Sequence, residues 1–216
     1  MAERPIIVLG AGGHASVVVD LLLATGREVI AAVEPAVPSS GRSLLSVPVH
    51  SESIVSEHTP DRVDLALGVG MPTTGPIGGL SARRALAERF RVRGYRFPVL
   101  LHPSAVVSPY ATVGDGAQVM AGAVVQPGAR VGAFAIVNTR ASVDHDCRLG
   151  EGCHIAPGGT LGGNVQIGEE TLVGIGAKVR QGIAIGRRAL IGGGAMVACD
   201  IPDGECWTGV PARRFG

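Results

Sequence analysis

From Val107 to Val197 every sixth residue is a branched aliphatic, and no other feature of the 216-residue chain constrains its fold as tightly. The series reads Val107, Val113, Val119, Val125, Val131, Val137, Val143, Leu149, Ile155, Leu161, Ile167, Val173, Val179, Ile185, Ile191 and Val197. A helix repeats about every 3.6 residues and a strand every two, so a strict period of six marks a repeat architecture. Two positions earlier in each hexad the residues are mostly small, from Ala105 through Ala141, Cys147, Cys153 and Gly159 to Ala195. The corners between are rich in Gly, Pro, Asp and Asn. This pattern describes short strands bent at regular corners, each turning a branched and a small side chain inward. Parallel stacking buries those side chains on the strands above and below. Three six-residue faces make one coil, and at about 4.8 Å per coil the prism stands roughly 25 Å tall.

A core of this kind needs few large rings. The composition agrees, with 33 glycines against one Trp, two Tyr and four Phe. A net charge of +1 with interspersed signs leaves no footprint for nucleic acid or an anionic membrane surface. No apolar run of about 18 residues is available to span a bilayer. The apolar run near the N-terminus is too short, and too soon broken by His14 and Asp20, for a secretory signal. Four cysteines do not make a disulfide scaffold. A soluble cytoplasmic protein is expected.

The first hundred residues follow other rules. Pro5 to Leu9 is an apolar run, Gly10-Ala11-Gly12-Gly13-His14 a glycine turn, and a helical stretch continues to about Thr25. A second apolar run starts at Val29 and ends at Glu34. Strand, glycine turn, helix, strand is the opening unit of a parallel α/β sheet. Pro35 to Arg42 reads as a loop, Val63 to Val69 as a strand, Ser81 to Arg91 as a basic helix and Tyr95 to Leu101 as a last strand. The expected class is α/β plus β-solenoid, with a small Rossmann-like domain over residues 1–101 and the solenoid over 102–216.

The Gly10-x-Gly12-x-x-Ala15 spacing, with Glu34 ending the second strand, matches a dinucleotide fingerprint. About four strands are half of a full dinucleotide-binding sheet, so NAD fits poorly. A phosphate at the helix N-terminus suits the free N–H groups there, and a tight turn without a ligand is the bland alternative. Cys147 and Cys153 sit in the small inward register and read as small apolar residues. Cys199 and Cys206 are seven apart with no histidine nearby, so no zinc site is expected.

His145 is the candidate base. It occupies a corner within Val143-Asp144-His145-Asp146-Cys147, where an adjacent carboxylate can fix the tautomer and stabilise the imidazolium. The triplet by itself favours a solvated polar corner, as at Glu151 and Glu169. The coil changes that balance, because one turn above His145 lies Gly163, about 5 Å away. A corner without a side chain leaves space for a substrate and offers backbone N–H groups to an oxyanion. His154 faces outward half a coil further on. It cannot share His145's corner within one subunit, although it can approach His145 of a neighbour packed alongside.

Together these residues resemble the sugar-nucleotide and sialic-acid acetyltransferases of the left-handed β-helix, or hexapeptide-repeat, superfamily. The resemblance covers nearly the whole chain. It rests on Gly-x-Gly-Gly-His at the turn, His102-Pro103-Ser104-Ala105 where the coil begins, Asn138-Thr139, the acid–His–acid triplet and a histidine nine residues later. Gly163-Asn164 and the closing Gly209-Val210-Pro211-Ala212-Arg213 complete it. The resemblance implies a left-handed parallel β-helix, a homotrimer with active sites between adjacent solenoids, and acetyl-CoA lying along that cleft. It makes His145 the general base, Asp146 the group orienting its ring, and Gly163 N–H the oxyanion donor. His154 would help place the acceptor or thioester from the facing subunit. Ile175 and Gly193, stacked on another corner, would line the CoA channel. Gly12, Gly13, His14, Glu34 and Asn138 fall to the sugar-nucleotide set. The family's further carboxylates after Glu34 are replaced here by Pro35 and Ala36, and its Gly-Asn after the third strand by Gly70-Met71-Pro72. Those departures bear on which base and sugar are bound.

The implied activity is N-acetylation of a nucleotide-linked amino sugar, without a metal. O-acetylation of a sialic acid or surface polysaccharide is the enzymic alternative, and a catalytically silent scaffold the non-enzymic one. A γ-class carbonic anhydrase would need three zinc histidines, which His102, His145 and His154 do not supply at the required spacing.

Overall fold

The structure, a computed structural model, describes residues 3–35, 41–70 and 78–215. Its first elements are β1 (Ile6–Leu9), α1 (Gly13–Ala24), β2 (Val29–Glu34), β3 (Ser43–Leu44), β4 (Val47–Ser51), a single-turn α2 (Ser53–Ser56), β5 (Asp64–Leu67) and α3 (Gly78–Arg91). β1 is buried along its whole length because it is the inner strand of a parallel trio, with β2 on one side and β5 on the other. The sheet order is β3-β4-β2-β1-β5, parallel except for the β3–β4 hairpin. That makes five strands where about four were expected. The hairpin turn, Leu45-Ser46, takes positive φ angles of 48° and 70° with neither glycine nor asparagine to announce it.

Close packing explains one glycine of this unit. A Cβ on Gly68 would lie 2.7 Å from Val8 Cγ1 and 2.8 Å from Ala15 Cβ, so only a bare α-carbon lets α1 settle beside β5.

The last strand expected of the α/β domain is a correction. Residues 95–99 form no strand, and Pro98 removes an N–H from the middle of the segment. Arg96 alone meets the sheet edge, its carbonyl accepting from Leu65 N at 2.9 Å. The apolar pair that follows, β6 (Leu100–Leu101), pairs in parallel with Gln118–Val119 of the solenoid. Leu101 lies six residues before Val107, in the same inward series. By compactness the chain accordingly divides at Pro98/Val99, with the start of α3 through Ser81 grouped with the second unit. Within that second unit Ser81 Oγ donates to Glu170 Oε2 at 2.6 Å.

From β6 onward, two-residue strands recur every six residues and stack into three sheets. The first runs from Val106–Val107 through Val124–Val125, Ser142–Val143 and Thr160–Leu161 to Met196–Val197. The second runs from Thr112–Val113 through Arg130–Val131 and Arg148–Leu149 to Ala184–Ile185, and the third holds Gln118–Val119, Ile136–Val137, His154–Ile155 and Leu172–Val173. Partners in register are one coil apart, as in Val125↔Val143↔Leu161. The branched series from Val119 to Val197 is at most 4% exposed, whereas Val107 and Val113 at the open end are half-buried.

Each corner from Gly116 to Gly194 carries one residue of positive φ, again every six residues. Glycine fills eight of these fourteen positions at no steric cost. Phe134, Arg140, Asp146, Asn164, Glu170 and Arg188 fill the others. At the far end Cys206–Thr208 continues the third sheet, and Arg213–Arg214 turns back antiparallel against it. Among the described residues no helix is long and apolar enough to cross a membrane.

Candidate active site

His145 occupies the corner between Ser142–Val143 of the first sheet and Arg148–Leu149 of the second. Asp144 Oδ1 accepts the His145 backbone N–H at 2.6 Å, closing the turn locally. Asp146 then takes a φ of 59°, a bend that Asp tolerates better than most residues. This brings its Oδ2 to 3.0 Å from His145 Nδ1. A carboxylate at Nδ1 holds the proton there and leaves Nε2 to accept. The hydrogen bond that His145 donates to Asp146 raises the imidazole pKa above its ordinary value, against a smaller opposing desolvation, and the Asp144 charge adds to the rise.

The ring extends toward the corner above. A Cβ on Gly163 would fall 2.6 Å from His145 Cε1 and 3.0 Å from Cδ2, and closer still to Nε2. Only glycine leaves the ring its place. The neighbouring amides are committed to the coil, Gly162 N to Val179 O at 2.9 Å and Asn164 N to His145 O at 2.8 Å. Among the described residues the Gly163 N–H has no acceptor. A basic nitrogen and an uncommitted N–H thus meet at one side-chain-free corner.

Cys147 corrects the reading of it as a merely apolar filler. It is buried, yet its thiol donates to Gly162 O at 3.2 Å. Burial pushes the thiol pKa up, so it remains a protonated donor. The sulfur therefore ties Cys147 to the start of the corner that carries Gly163. Thr171 does the same elsewhere in the small register, donating to Gly186 O at 2.6 Å and accepting from Ala189 N at 3.0 Å. These bridges were invisible to a reading based on size alone.

His154 and Asn138 come together, away from His145. His154 belongs to the third sheet and is 7% exposed despite its outward register. Asn138 Nδ2 donates to His154 Nε2 at 3.0 Å, and Asn138 Oδ1 accepts from Thr139 N at 2.8 Å. The amide is thereby oriented, and the His154 proton is assigned to Nδ1. Outward Gln118 and Ile136 on the same face are also buried. Their types, an amide and an isoleucine among outward positions, were the available signal. Ile175 and Gly193 stack on the corner between the third and first sheets; a Cβ on Gly193 would lie 3.3 Å from Ile175 O. A further groove of 590 Å³ on the second sheet is lined by Arg148, Gln166, Arg187 and Asp203 among others, and by none of the expected site residues.

In the α/β unit, Gly12 and Gly13 face open space at the start of α1. His14 follows in the first turn of α1, with Gly70 packed so closely that a Cβ there would lie 3.0 Å from His14 Cβ. Glu34 is held by Arg42, which also donates to Ala11 O at 3.0 Å. Arg42, which the sequence marks only as the end of a loop, is thus tied to the glycine turn. Ala36, Met71 and Pro72 lie outside the described residues. Among those described, no three His, Cys, Asp or Glu side chains cluster as a metal site.

Comparison with known proteins places this geometry. Residues 5–90 match the family model described as PglD N-terminal domain. The acetyltransferase domain of PglB from Neisseria gonorrhoeae FA1090 is 39% identical, with a TM-score of 0.89 over 99% of this chain and 100% of that one. PerB from Caulobacter crescentus, solved with CoA and GDP-perosamine, is 36% identical, with a TM-score of 0.86 over 100% of this chain and 99% of that one. The chain belongs to the sugar-nucleotide acetyltransferase family of the hexapeptide-repeat superfamily. Another relative in this family is the UDP-N-acetylbacillosamine N-acetyltransferase of Bacillus subtilis (strain 168). It is 35% identical over 121 residues, which are 55% of this chain and 52% of that enzyme. The match spans about half the length of this curated relative. The Neisseria domain has also been solved with acetyl coenzyme A.

Proposed function

We propose that this family member transfers the acetyl group of acetyl-CoA to the amino group of a nucleotide-linked amino sugar, with His145 as general base. The observation carrying this reading is the stack of His145 Nε2 against the bare α-carbon of Gly163, whose N–H is uncommitted. In the reaction the amine nitrogen attacks the thioester carbonyl carbon and Nε2 takes the proton it sheds. The C–N bond forms, charge gathers on the carbonyl oxygen against the Gly163 N–H, and the C–S bond then breaks as the thiolate leaves and takes up a proton. Asp146 holds the ring and stabilises its charged form. Gly163 costs nothing to reorganise because the coil fixes it.

The rest of the assignment follows the same family reading. Ile175 and Gly193 line the path of CoA, and Gly12, Gly13, His14 and Glu34 hold the nucleotide sugar; Asn138, which that reading gives to the sugar nucleotide, is assigned instead to orienting His154, which it hydrogen-bonds, for its work in a homotrimer. Relatives solved with acetyl coenzyme A, and with CoA and GDP-perosamine, support an amine acceptor over a hydroxyl. The test is release of CoA thiol from acetyl-CoA in the presence of UDP- and GDP-linked amino sugars, with the product identified by mass. Formation of an amide on the sugar nitrogen is expected. Acetyl-CoA that binds by calorimetry but is never turned over with any amino-sugar nucleotide would refute the assignment, and an ester product would move it to hydroxyl transfer.

A further inference from the structure

The Asp146 carboxylate has two oxygens, and only one serves His145. Oδ2 meets Nδ1; Oδ1 lies over Gly128, the residue one coil below. A Cβ on Gly128 would fall 3.3 Å from Asp146 Cγ and far inside contact with Oδ1. Gly128 has a φ of 75°, yet that alone does not demand glycine, since Phe134, Arg140, Asn164, Glu170 and Arg188 occupy equivalent corners at similar angles. Nor is crowding general at these corners. A Cβ on Gly122, Gly152 or Gly158 would meet nothing nearer than 3.4 Å, and on Gly176, Gly182 or Gly194 nothing within 4 Å.

We infer that Gly128 is a positioning residue for the reaction, its missing side chain being the space in which the Asp146 carboxylate lies to hold His145. This rests on the reading of His145 as base. The pair is then set between two bare corners, Gly128 under the carboxylate and Gly163 over the imidazole, which only the coil period brings into line. The group that would be displaced is the far end of an exposed side chain (67% accessible), not backbone. A methyl at residue 128 therefore swings the carboxylate away from Nδ1 while the coil survives. The imidazole loses its oriented tautomer and the partner that raises its pKa.

The experiment compares Gly128→Ala with Asp146→Asn, their combination, and Gly204→Ala. The last is a control with a matching φ of 73° and open space around its Cβ. kcat/KM is measured against pH, and the His145 ring is titrated by NMR, which needs no turnover. Gly128→Ala should lower kcat/KM about tenfold, move the pH rise and the NMR titration downward as Asp146→Asn does, and add little to Asp146→Asn in the double variant. Gly204→Ala should do none of this. A Gly128→Ala protein with an unshifted His145 titration, or losses that simply multiply in the double variant, overturns the inference. Should Gly128→Ala fail to fold, the substitution is repeated in an Asp146→Gly background, where the methyl has room. Recovery of folding there supports the inference and failure in both backgrounds overturns it. If His145→Asn keeps full activity, it is instead the base assignment that fails, and the NMR titration still reports on Gly128.

Discussion

A histidine that acts as a base must be neutral to do so. The hydrogen bond to Asp146, then the charges of Asp144 and Asp146, raise the His145 pKa, so acetyl transfer should climb through an ionisation above that of a free imidazole. Asp146→Asn removes the largest of those effects. Its profile should therefore rise at lower pH, with a smaller loss of rate than His145→Asn. His145→Asn should lose about 10²–10⁴ in turnover, the usual contribution of positioned proton transfer, while acetyl-CoA affinity by calorimetry stays unchanged. The amine acceptor's own ionisation is common to all three profiles, so the difference between them isolates the residue. An identical inflection in all three would remove His145 from the role of base. This corner was legible in the sequence because the period fixes what stands 18 residues away, and Gly163 is there. His154 was not, since its register says only that it points outward and not that its face is buried.

At the scale of elements the hexad determines strand spacing and the inward series, but not how each corner completes its hydrogen bonds. In most corners a backbone amide accomplishes this locally, as Ala177 N does with Gly174 O at 3.1 Å. At Thr171 and Cys147 a side chain from the coil below is inserted instead. Thr171→Val preserves shape but strands Gly186 O and Ala189 N. It should cost about 1–3 kcal/mol, the penalty for unsatisfied buried groups. Urea denaturation would show it as a lower midpoint at an unchanged slope; a midpoint matching wild type would mean that water fills the gap. Cys147→Ala strands Gly162 O in the corner that presents Gly163. It should lower kcat more than it alters KM, and Cys147→Ser, whose hydroxyl can donate to the same carbonyl, should recover most of the loss. Equal turnover in Ala and Ser variants would show that the bridge does not position Gly163. The boundary of the solenoid escaped for a related reason. Leu100–Leu101 is an apolar pair that a buried α/β strand would also use, and its membership of the six-residue series rests on Leu101 alone.

For the molecule as a whole, activity depends on what shields the reacting atoms. His145 has a side chain 61% exposed and Asp146 67%. One corner of one prism cannot exclude water from a developing oxyanion, and electrostatic stabilisation of that charge weakens in open solvent. Something must cover the corner, and the same solenoid leaves Val106 at 65% and Tyr110 at 80% exposure. Tyr110 stands one coil below Gly128, in the column of Asp146. A second copy packed along this edge would bury both the apolar side chains and the catalytic pair, and a closed ring of three copies would do so for each. Light scattering should therefore give three times the 21.9 kDa chain mass. Tyr110→Glu, which places a charge in the proposed contact without touching the coil's interior, should dissociate the assembly and remove turnover together. Specific activity of the wild type should also fall on dilution through the association range. A Tyr110→Glu monomer that folds and turns over at the wild-type rate would show that the corner works alone, and the shared-site trimer would have to be abandoned.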